Sequence, residues 1–392
     1  MSKYIYMDNS ATTPVKKEVL DEMIPYFTEK YGNPSSIYSL GSQSKVAIEK
    51  AREKVAGALG ADKNEIFFTA GGSESDNWAL KGIAFKHRNK GNHIITTKIE
   101  HHAILHTCEY LQKNGFEVTY LNVDKDGLID LDELKNAITD KTILISIMFA
   151  NNEIGTIQPI KEIGEIARKA NVIFHTDAVQ AIGHVKIDVK ELNIDLLSLS
   201  AHKFYGPKGI GALYIRKGLQ IDPLIAGGGQ ERNKRAGTEN VPGIVGLGKA
   251  IELAYENLEE HNEKLIRLRE RLIKGIEENI KYTKLNGHRK NRLPGNVNFC
   301  FEFIEGESLL LSLDMEGIAG SSGSACTSGT LDPSHVLLAI GLPHEIAHGS
   351  LRLTLGDFNT EEEVDYVIEK LITIVERLRN MSPLYDKTKE AK

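Results

Sequence analysis

Short apolar runs alternate with amphipathic segments through the first half of the chain. Between about residues 45 and 215, runs rich in β-branched residues are followed by segments whose apolar positions have helical spacing. The predicted strands cover residues 65–69, 93–97, 116–121, 142–148, 172–174, 195–200 and 210–215. Strands that alternate with helices predict a mostly parallel sheet with helices on both faces. In such a fold we expect ligands beyond the carboxyl ends of the strands.

The pattern changes near residue 250. Residues 250–280 are highly charged, carry leucines at helical spacing, and predict one long helix that leaves the first domain. The elements predicted beyond it are a strand over 296–303, a helix from Glu307, a strand over 350–355 and a last helix after Thr360. We therefore predict an α/β protein whose large domain covers 15–255. Residues 1–14 and 256–392 would form a smaller α+β domain.

Composition and charge exclude several classes of protein. With 392 residues, of which 41% are hydrophobic and 26% charged, the chain is typical of soluble proteins, and its net charge of −6 argues against a nucleic-acid partner. The longest apolar stretch, 143–150, is too short to span a bilayer, and Asp8 comes too early for a signal peptide. Three widely spaced cysteines imply no disulfide framework. We therefore expect a cytoplasmic protein with no membrane partner.

A glycine pair follows the first predicted strand. Gly71, Gly72 and Ser73 stand between that strand and a predicted helix. Free backbone N–H groups and the positive end of the helix dipole could bind an anion there, such as a phosphate. The segment is neither a Walker loop nor a dinucleotide fingerprint. The alternative is an ordinary helix N-cap after a turn.

Two further strand ends carry reactive side chains. Asp177 comes just after an apolar strand, where a buried carboxylate could hold a protonated ring nitrogen. Lys203 also follows a strand, and partial desolvation there would make its amine nucleophilic. The alternatives are a helix N-cap for Asp177 and a solvated loop position for Lys203. Lys208 fits the solvated position better.

One cysteine stands apart from the other two. Cys326 lies among glycine, serine, threonine and alanine residues, which predicts an accessible, mobile loop and a reactive thiol. Cys108 lies in a predicted helix and Cys300 in a predicted strand, so we expect both to be inert packing residues. The alternative for Cys326 is an incidental loop cysteine.

A group of histidines raises the question of a metal site. His102 and His106 are four residues apart and could share one face of a helix. No well-spaced third ligand follows them in the sequence, so we predict no metal.

Taken together, these segments resemble the pyridoxal-phosphate-dependent cysteine desulfurases of the NifS/IscS type. The similarity runs nearly end to end, and the ordered set of motifs is far more specific than any one of them. The motifs are Tyr6-Met-Asp-Asn-Ser-Ala-Thr-Thr-Pro14, Gly32-Asn-Pro-Ser-Ser36, Glu100-His101, Asn151-Asn-Glu-Ile-Gly155, His202-Lys203, Arg235-Ala-Gly-Thr238-Glu-Asn240, Ser321-Ser-Gly-Ser-Ala-Cys326-Thr-Ser and Arg352. The amino-acid sequences of some segments are closer to the nitrogen-fixation (NifS) branch than to the housekeeping branch.

The resemblance implies a fold and a role for each site residue. The fold is fold type I of the pyridoxal-phosphate enzymes, which is similar to aspartate aminotransferase. Lys203 would bond the cofactor and later move the Cα proton, while Asp177 would pair with the pyridine nitrogen. Gln180 would contact the phenolic oxygen, and His101 would stack on the ring and serve in proton transfer. The phosphate would be bound by Gly72, Ser73, Ser200, His202 and the second subunit's Thr238. Asn152 would contact the cofactor and the substrate, and Arg352 would bind the substrate carboxylate. The alternative for Arg352 is a surface arginine.

The resemblance also implies a reaction and partners. L-cysteine would become L-alanine while its sulfur passes to the Cys326 thiolate as a persulfide and then to an acceptor, such as an iron–sulfur scaffold protein. The role of Thr238 implies a homodimer. The alternatives are a selenocysteine lyase or class V aminotransferase of the same fold, a non-catalytic sulfur-relay protein, and a nucleotide-binding module. The sequence leaves the physiological acceptor open.

Overall fold

The computed structural model describes residues 4–322 and 333–385. The strands are β1 (Ile5–Tyr6), β2 (Ile66–Thr69), β3 (His93–Thr97), β4 (Glu117–Leu121), β5 (Thr142–Ser146), β6 (Ile173–Asp177), β7 (Leu196–Ser200), β8 (Gly211–Ile215), β9 (Thr283–Leu285), β10 (Asn296–Phe301), β11 (Ile318–Ala319) and β12 (Ser350–Thr354). The α-helices are α1 (Lys17–Met23), α2 (Pro25–Thr28), α3 (Ser39–Leu59), α4 (Gly72–Lys86), α5 (His102–Lys113), α6 (Leu131–Ala137), α7 (Ile160–Ala170), α8 (Gln230–Asn233), α9 (Val241–Glu256), α10 (Leu258–Asn279), α11 (Gly306–Met315), α12 (His335–Ala339), α13 (His344–Ala347) and α14 (Glu361–Met381).

The largest sheet is mostly parallel, as the sequence predicts. Within the described residues it has seven strands in the order β2-β8-β7-β6-β5-β3-β4. Strand β8 is antiparallel to both of its neighbours, and the other pairs are parallel. Every strand of this sheet except β8 therefore ends at the same edge. That edge is where a ligand site is expected in this class of fold.

Helices cover both faces of this sheet. On one face, α3, α7 and α9 pack on the strands through a core that includes Leu59 and Phe174. On the other face, α4 and α5 pack through a core that includes Trp78 and Leu144. Burial on both sides explains why β5 has no alternation of apolar and polar positions.

A smaller antiparallel sheet forms a second core. Its strand order is β12-β10-β9, and α10, α11 and α14 surround a cluster that includes Leu272, Phe299 and Leu371. The N-terminal strand β1 pairs in parallel with β11, so the start of the chain lies beside this second core. The domain boundaries proposed above, 15–255 against 1–14 and 256–392, remain a prediction.

The single helix predicted over 250–280 is wrong. Helix α9 ends at Glu256 and α10 begins at Leu258, and Asn257 between them has the non-helical angles φ −130° and ψ 39°. Asparagine interrupts a helix easily because its side chain competes for backbone hydrogen bonds. Neither of these helices, nor any other in the part of the chain that the structure describes, is long and apolar enough to cross a membrane.

Candidate active site

A cavity of about 430 Å³ opens at the carboxyl edge of the large sheet. Ser10 and Ala11 of the N-terminal segment form part of its lining. The residues predicted from the sequence that line it are Gly72, Ser73, His101, Asn152, Asp177, Gln180, Ser200, His202, Lys203 and Arg352. The fold therefore brings together most of the residues that the sequence singled out.

Bare backbone forms one end of the cavity. Gly71 has φ 153°, a value that side chains rarely tolerate, and a Cβ at Gly72 would lie 2.7 Å from Val179 Cγ2. Helix α4 begins there, and no side chain among the described residues caps its first turn. This favours the predicted anion site over an ordinary N-cap, because exposed N–H groups and the positive helix end face the cavity.

Asp177 lies on the floor of the cavity at the end of β6. Only 7% of the residue is exposed, and its Oδ1 accepts a hydrogen bond of 2.9 Å from the Val179 N–H. Burial raises the pKa of this carboxyl, whereas the hydrogen bond and the charge of Lys203 oppose the rise. A cationic ring nitrogen placed beside Asp177 would stabilise its ionised form further.

A second polar layer lies beneath Asp177. Buried His175 is hydrogen-bonded through Nδ1 to Ser146 Oγ at 2.9 Å and through Nε2 to Ser198 Oγ at 3.0 Å. Its Nε2 is 3.7 Å from Oδ1 of Asp76, another acid that lines the cavity. Burial lowers the pKa of His175 to about 3 and raises the pKa of Asp76 well above its usual range. His175 is therefore neutral at pH 7, and burial together with the nearby charge of Asp177 disfavours the ionised form of Asp76.

Lys203 ends the short turn that follows β7. Its Nζ donates to the carbonyl oxygens of Ser10 at 2.6 Å and Ala11 at 2.8 Å, so the N-terminal segment holds the amine at the cavity wall. The Gln180 amide donates to the same Ser10 carbonyl at 2.9 Å. Lys208, by contrast, is exposed. These positions exclude the solvated-loop alternative for Lys203.

His101 presents a neutral imidazole to the cavity. It is the N-cap of α5, and its Nδ1 accepts from the Ala103 N–H at 3.1 Å, which leaves the ring proton on Nε2. Burial, followed by the nearby charge of Lys203, lowers the pKa of His101 to about 4. His202, whose Nδ1 is 3.1 Å from Thr12 Oγ1, is likewise neutral because burial lowers its pKa to about 4.

Arg352 reaches the cavity from β12 of the smaller sheet. Only 3% of its side chain is exposed, so the surface-arginine alternative is wrong. Its Nη1 donates to the carbonyl oxygen of Asn152 at 3.0 Å. Its Nη2 donates to Asp8 Oδ1 at 2.9 Å and to Ser321 Oγ at 3.1 Å. A buried guanidinium at one end of the cavity is suited to a planar carboxylate.

Known proteins are similar to this chain along nearly its whole length. The family model of the class-V aminotransferases matches residues 5–367. The chain belongs to the class-V aminotransferase family. Cysteine desulfurase IscS of Clostridium botulinum is 67% identical to it over the full length of both chains.

Solved structures extend the similarity to the fold. A NifS-like protein is 44% identical with a TM-score of 0.91, covering 96% of this chain and all of its own. The structure of SspA in complex with cysteine is 41% identical with a TM-score of 0.80, covering 91% of this chain and all of its own. Because the names include both IscS and NifS, the predicted closeness to the nitrogen-fixation branch stays a prediction.

The cavity fits the cofactor of this family. Class-V aminotransferases use pyridoxal 5′-phosphate, which needs an anion site for its phosphate, an acid for its ring nitrogen and a lysine for its aldehyde. The bare backbone at Gly72, the buried carboxyl of Asp177 and the inward amine of Lys203 fit those needs in one cavity.

Among the predicted site residues that the structure describes, Thr238 does not line the cavity. Thr238 is exposed, three residues after Arg235, whose guanidinium donates to both carboxylate oxygens of Glu74 at 2.8 and 3.1 Å. Cys326 lies outside the described residues, so its predicted accessibility remains a prediction. Cys108 and Cys300 are fully buried, and burial raises their thiol pKa values to about 12 and about 11.

The histidine group does not form a metal site. His102 stacks on His106 with 4.9 Å between ring centroids and lies 4.8 Å from the ring of His335. Within residues 4–322 and 333–385, no set of three or more histidine, cysteine or acidic side chains is placed to hold a metal ion.

Sequence reasoning missed the N-terminal side of the cavity. Asp8, Ser10 and Ala11 belong to a motif that marked the family, yet no role was predicted for them. Asp76 was missed as well, although an acid one turn after Ser73 on a helix that packs on the sheet was an available signal.

Proposed function

We propose that this protein is a pyridoxal-phosphate-dependent cysteine desulfurase. The observation that carries the proposal is the 67% identity, over the full length of both chains, to a protein named cysteine desulfurase IscS. The cavity supports it, because a lysine, a buried carboxyl and a buried arginine line one space of about 430 Å³. These are the groups needed to bond a carbonyl cofactor and to hold the carboxylate of an amino acid.

The residues that would hold the cofactor lie at the edge of the large sheet. Gly72, Ser73, Ser200 and His202 would bind its phosphate, Asp177 its ring nitrogen and Gln180 its phenolic oxygen. When bound, pyridoxal phosphate supplies an electron sink for the electron pair left at Cα after proton removal. Asp177 would face that ring nitrogen from the floor of the cavity, with the neutral imidazole of His175 beneath it, so its carboxylate would supply the negative charge that keeps the ring nitrogen protonated.

Arg352 and Asn152 would orient the substrate. The guanidinium would bind the carboxylate of L-cysteine in a bidentate manner, which fixes the direction of the Cα–H bond relative to Lys203. The contact between Arg352 Nη1 and the Asn152 carbonyl already joins these two residues.

Proton transfer would be divided between Lys203 and His101. Lys203 Nζ, once released from the cofactor, would take the Cα proton and return it. His101 would remain neutral, with its proton on Nε2, through the pH range of activity because its pKa is lowered to about 4. A neutral imidazole can stack on an uncharged ring face and donate one hydrogen bond.

Sulfur capture would belong to Cys326. In the balanced reaction, L-cysteine and the Cys326 thiol give L-alanine and a Cys326 persulfide, and the sulfur then leaves to an acceptor protein for iron–sulfur cluster assembly. The other two cysteines are poorly suited to this role, because the thiols of Cys108 and Cys300 are buried and have raised pKa values. A thiol that stays protonated is a poor nucleophile.

The enzyme would act as a homodimer. Exposed apolar residues follow one another through α1, α2 and the loop that leads to α3, namely Leu20 (46%), Ile24 (49%), Phe27 (60%), Tyr31 (67%), Ile37 (100%) and Tyr38 (57%). A patch of this kind is typical of an interface between subunits. The exposure of Thr238 agrees with its predicted contact to the cofactor phosphate of the second subunit. An active monomer in sedimentation at assay concentration would contradict this.

One experiment tests the activity. The purified protein should show the visible absorbance of bound pyridoxal phosphate, release alanine from L-cysteine and gain one sulfur atom on Cys326 by mass spectrometry. Alanine formation that requires an added keto acid would support a class V aminotransferase. Turnover of L-selenocysteine without turnover of L-cysteine would support a selenocysteine lyase.

A further inference from the structure

Arg352 is already paired with an acid of the protein itself. Both N–H groups of its Nη2 have partners, Asp8 Oδ1 at 2.9 Å and Ser321 Oγ at 3.1 Å. Its Nε has no partner among the described residues, although the side chain is only 3% exposed. A carboxylate that binds Nε and Nη2 side by side would satisfy Nε, but it has to replace one of the two partners of Nη2.

Asp8 is the partner that a carboxylate would replace. Two carboxylates on one guanidinium nitrogen repel each other, whereas a serine hydroxyl and a carboxylate do not. Ser321 is also held beside Arg352 by two backbone hydrogen bonds, of 2.6 and 3.0 Å. The side chain of Asp8 is 17% exposed, so water can solvate its carboxylate after displacement.

We propose that Asp8 is the internal counter-ion of Arg352 in the substrate-free enzyme and that the substrate carboxylate displaces it. The inference rests on the proposed function, in which Arg352 binds the carboxylate of L-cysteine. Asp8 is thus a positioning residue that acts through Arg352. It keeps a buried cation neutralised before substrate arrives, at the cost of weaker substrate binding.

Asp8 can be changed without losing the N-terminal segment. Its neighbours are fixed to β12 through the backbone, since Thr354 N–H donates to the Met7 carbonyl at 2.6 Å and Asn9 N–H to the Thr354 carbonyl at 3.3 Å. The Tyr6 hydroxyl also donates to the Asp8 carbonyl at 3.0 Å. These contacts do not involve the Asp8 carboxylate.

A second acid lies near Arg352 but does not replace Asp8. Burial raises the pKa of Glu153, and the charge of Arg352 only partly opposes this rise, while the Glu153 carboxylate accepts a hydrogen bond from the Ser334 hydroxyl. Asp8 is therefore the acid in direct contact with the guanidinium among the described residues. Removing its charge leaves Arg352 less neutralised and so more attractive to an incoming carboxylate.

The test compares Asp8→Asn, which keeps an acceptor oxygen but removes the charge, with Asp8→Glu, which keeps the charge. We expect Asp8→Asn to lower KM for L-cysteine by about three- to ten-fold, the effect of one partly exposed ion pair, with little change in kcat. Titrations of the holoenzyme, followed by the cofactor absorbance, use two probes. Propionate has the carboxylate but no amine and should bind more tightly to Asp8→Asn by the same factor. Cysteamine has no carboxylate, and its affinity should not change.

Each outcome decides the proposal. A KM that rises in Asp8→Asn, or an equal change in propionate and cysteamine affinity, overturns it, because Asp8 would then only support the structure. Asp8→Ser serves as a second neutral variant, and failure of both neutral variants to retain cofactor also overturns the proposal. If the wild-type protein makes no alanine but Asp8→Asn still binds propionate more tightly, the proposed function fails and the role of Asp8 stands.

Discussion

The two halves of the cavity are built in different ways. The sheet-edge half, defined by Gly72, Asp177 and Lys203, is formed where strands of one sheet end. The Arg352 half, defined by Asp8, Asn152 and Arg352, joins the N-terminal segment, a loop after β5 and a strand of the smaller sheet. Its central ion pair connects residues that are 344 positions apart.

This difference in construction parallels a difference in chemistry. The sheet-edge half carries the groups for the cofactor, and the Arg352 half carries the cation for the substrate. The halves touch through the N-terminal segment, which holds Lys203 by the carbonyls of Ser10 and Ala11 and Arg352 by the carboxylate of Asp8. Variants in one half should therefore fail in cofactor chemistry, and variants in the other half in substrate binding.

The largest effect is expected for Lys203→Ala in the sheet-edge half. The variant should lose all turnover, and borohydride reduction should no longer fix the cofactor to the protein, because Lys203 is the amine that the Ser10 and Ala11 carbonyls hold at that wall in the described part of the chain. Mass spectrometry of the reduced protein measures the attachment.

Lys217→Ala is the matched control. Lys217 follows β8, the one antiparallel strand of the sheet, and is exposed at the opposite edge. It should keep wild-type activity. Cofactor attached to Lys208 in the wild-type digest would show that the sheet-edge half has been assigned incorrectly.

Cys326→Ala should stop turnover almost as completely while leaving both halves of the cavity intact. The cofactor spectrum and the spectral change on adding L-cysteine should persist, but alanine and persulfide should not form. Cys108→Ala and Cys300→Ala should cost at most some stability, since both side chains are fully buried. Loss of persulfide in one of those two variants, or full activity in Cys326→Ala, would assign the sulfur acceptor elsewhere.

Arg352→Gln should separate the two halves most clearly. Removing the cation should raise KM for L-cysteine by about 100-fold, as expected for a desolvated charge contact, while the cofactor spectrum stays as in the wild type. The control is Arg267→Gln, because the Arg267 side chain is 65% exposed and pairs with Glu361. This variant should change neither KM for L-cysteine nor the cofactor spectrum. A loss of cofactor in Arg352→Gln would mean that the halves are not independent.

The sequence predicts the sheet-edge half well because its signals are local. Asp177 and Lys203 each follow an apolar strand, and the strands converge on one edge by the geometry of parallel sheets. The phosphate end follows the same logic, since a glycine pair between a strand and a helix leaves backbone bare. None of these predictions needs contacts between distant parts of the chain.

The Arg352 half could not be predicted to the same depth. Asp8 lies just after a two-residue strand with no measurable periodicity, and nothing in its neighbourhood indicates a partner on β12. Asp76 was missed because acids on a helix normally face water, whereas this one is 1% exposed. The break at Asn257 was missed because neither proline nor glycine marks it in the sequence.

The smallest effect concerns stability and compares one buried acid from each half. Glu100, beside the sheet-edge half, accepts from the Thr97 hydroxyl at 2.7 Å and the Met148 N–H at 3.0 Å, and burial raises its pKa to about 8. Glu153 lies beside the Arg352 half, and burial raises its pKa to about 7. The hydrogen bond from Ser334 and the charge of Arg352 partly oppose this rise.

Both acids should make the folded protein less stable as pH rises, over windows of different width. Each is protonated when folded but ionises near the ordinary glutamate pKa of 4.5 when unfolded, so the unfolded state binds fewer protons and the free energy of unfolding falls with pH. The fall begins near the pKa of the unfolded state and stops near the pKa of the folded state, which is about 7 for Glu153 and about 8 for Glu100.

Glu100→Gln and Glu153→Gln remove this pH dependence. Each variant should therefore gain stability relative to wild type by up to about 1.4 kcal/mol per pH unit within that pH range. Denaturant unfolding from pH 5 to 9 measures it, with Glu259→Gln at an exposed position on α10 as the control for the substitution itself. A free energy of unfolding that depends on pH in both variants as it does in the wild type would show that burial does not hold these two acids in the protonated form.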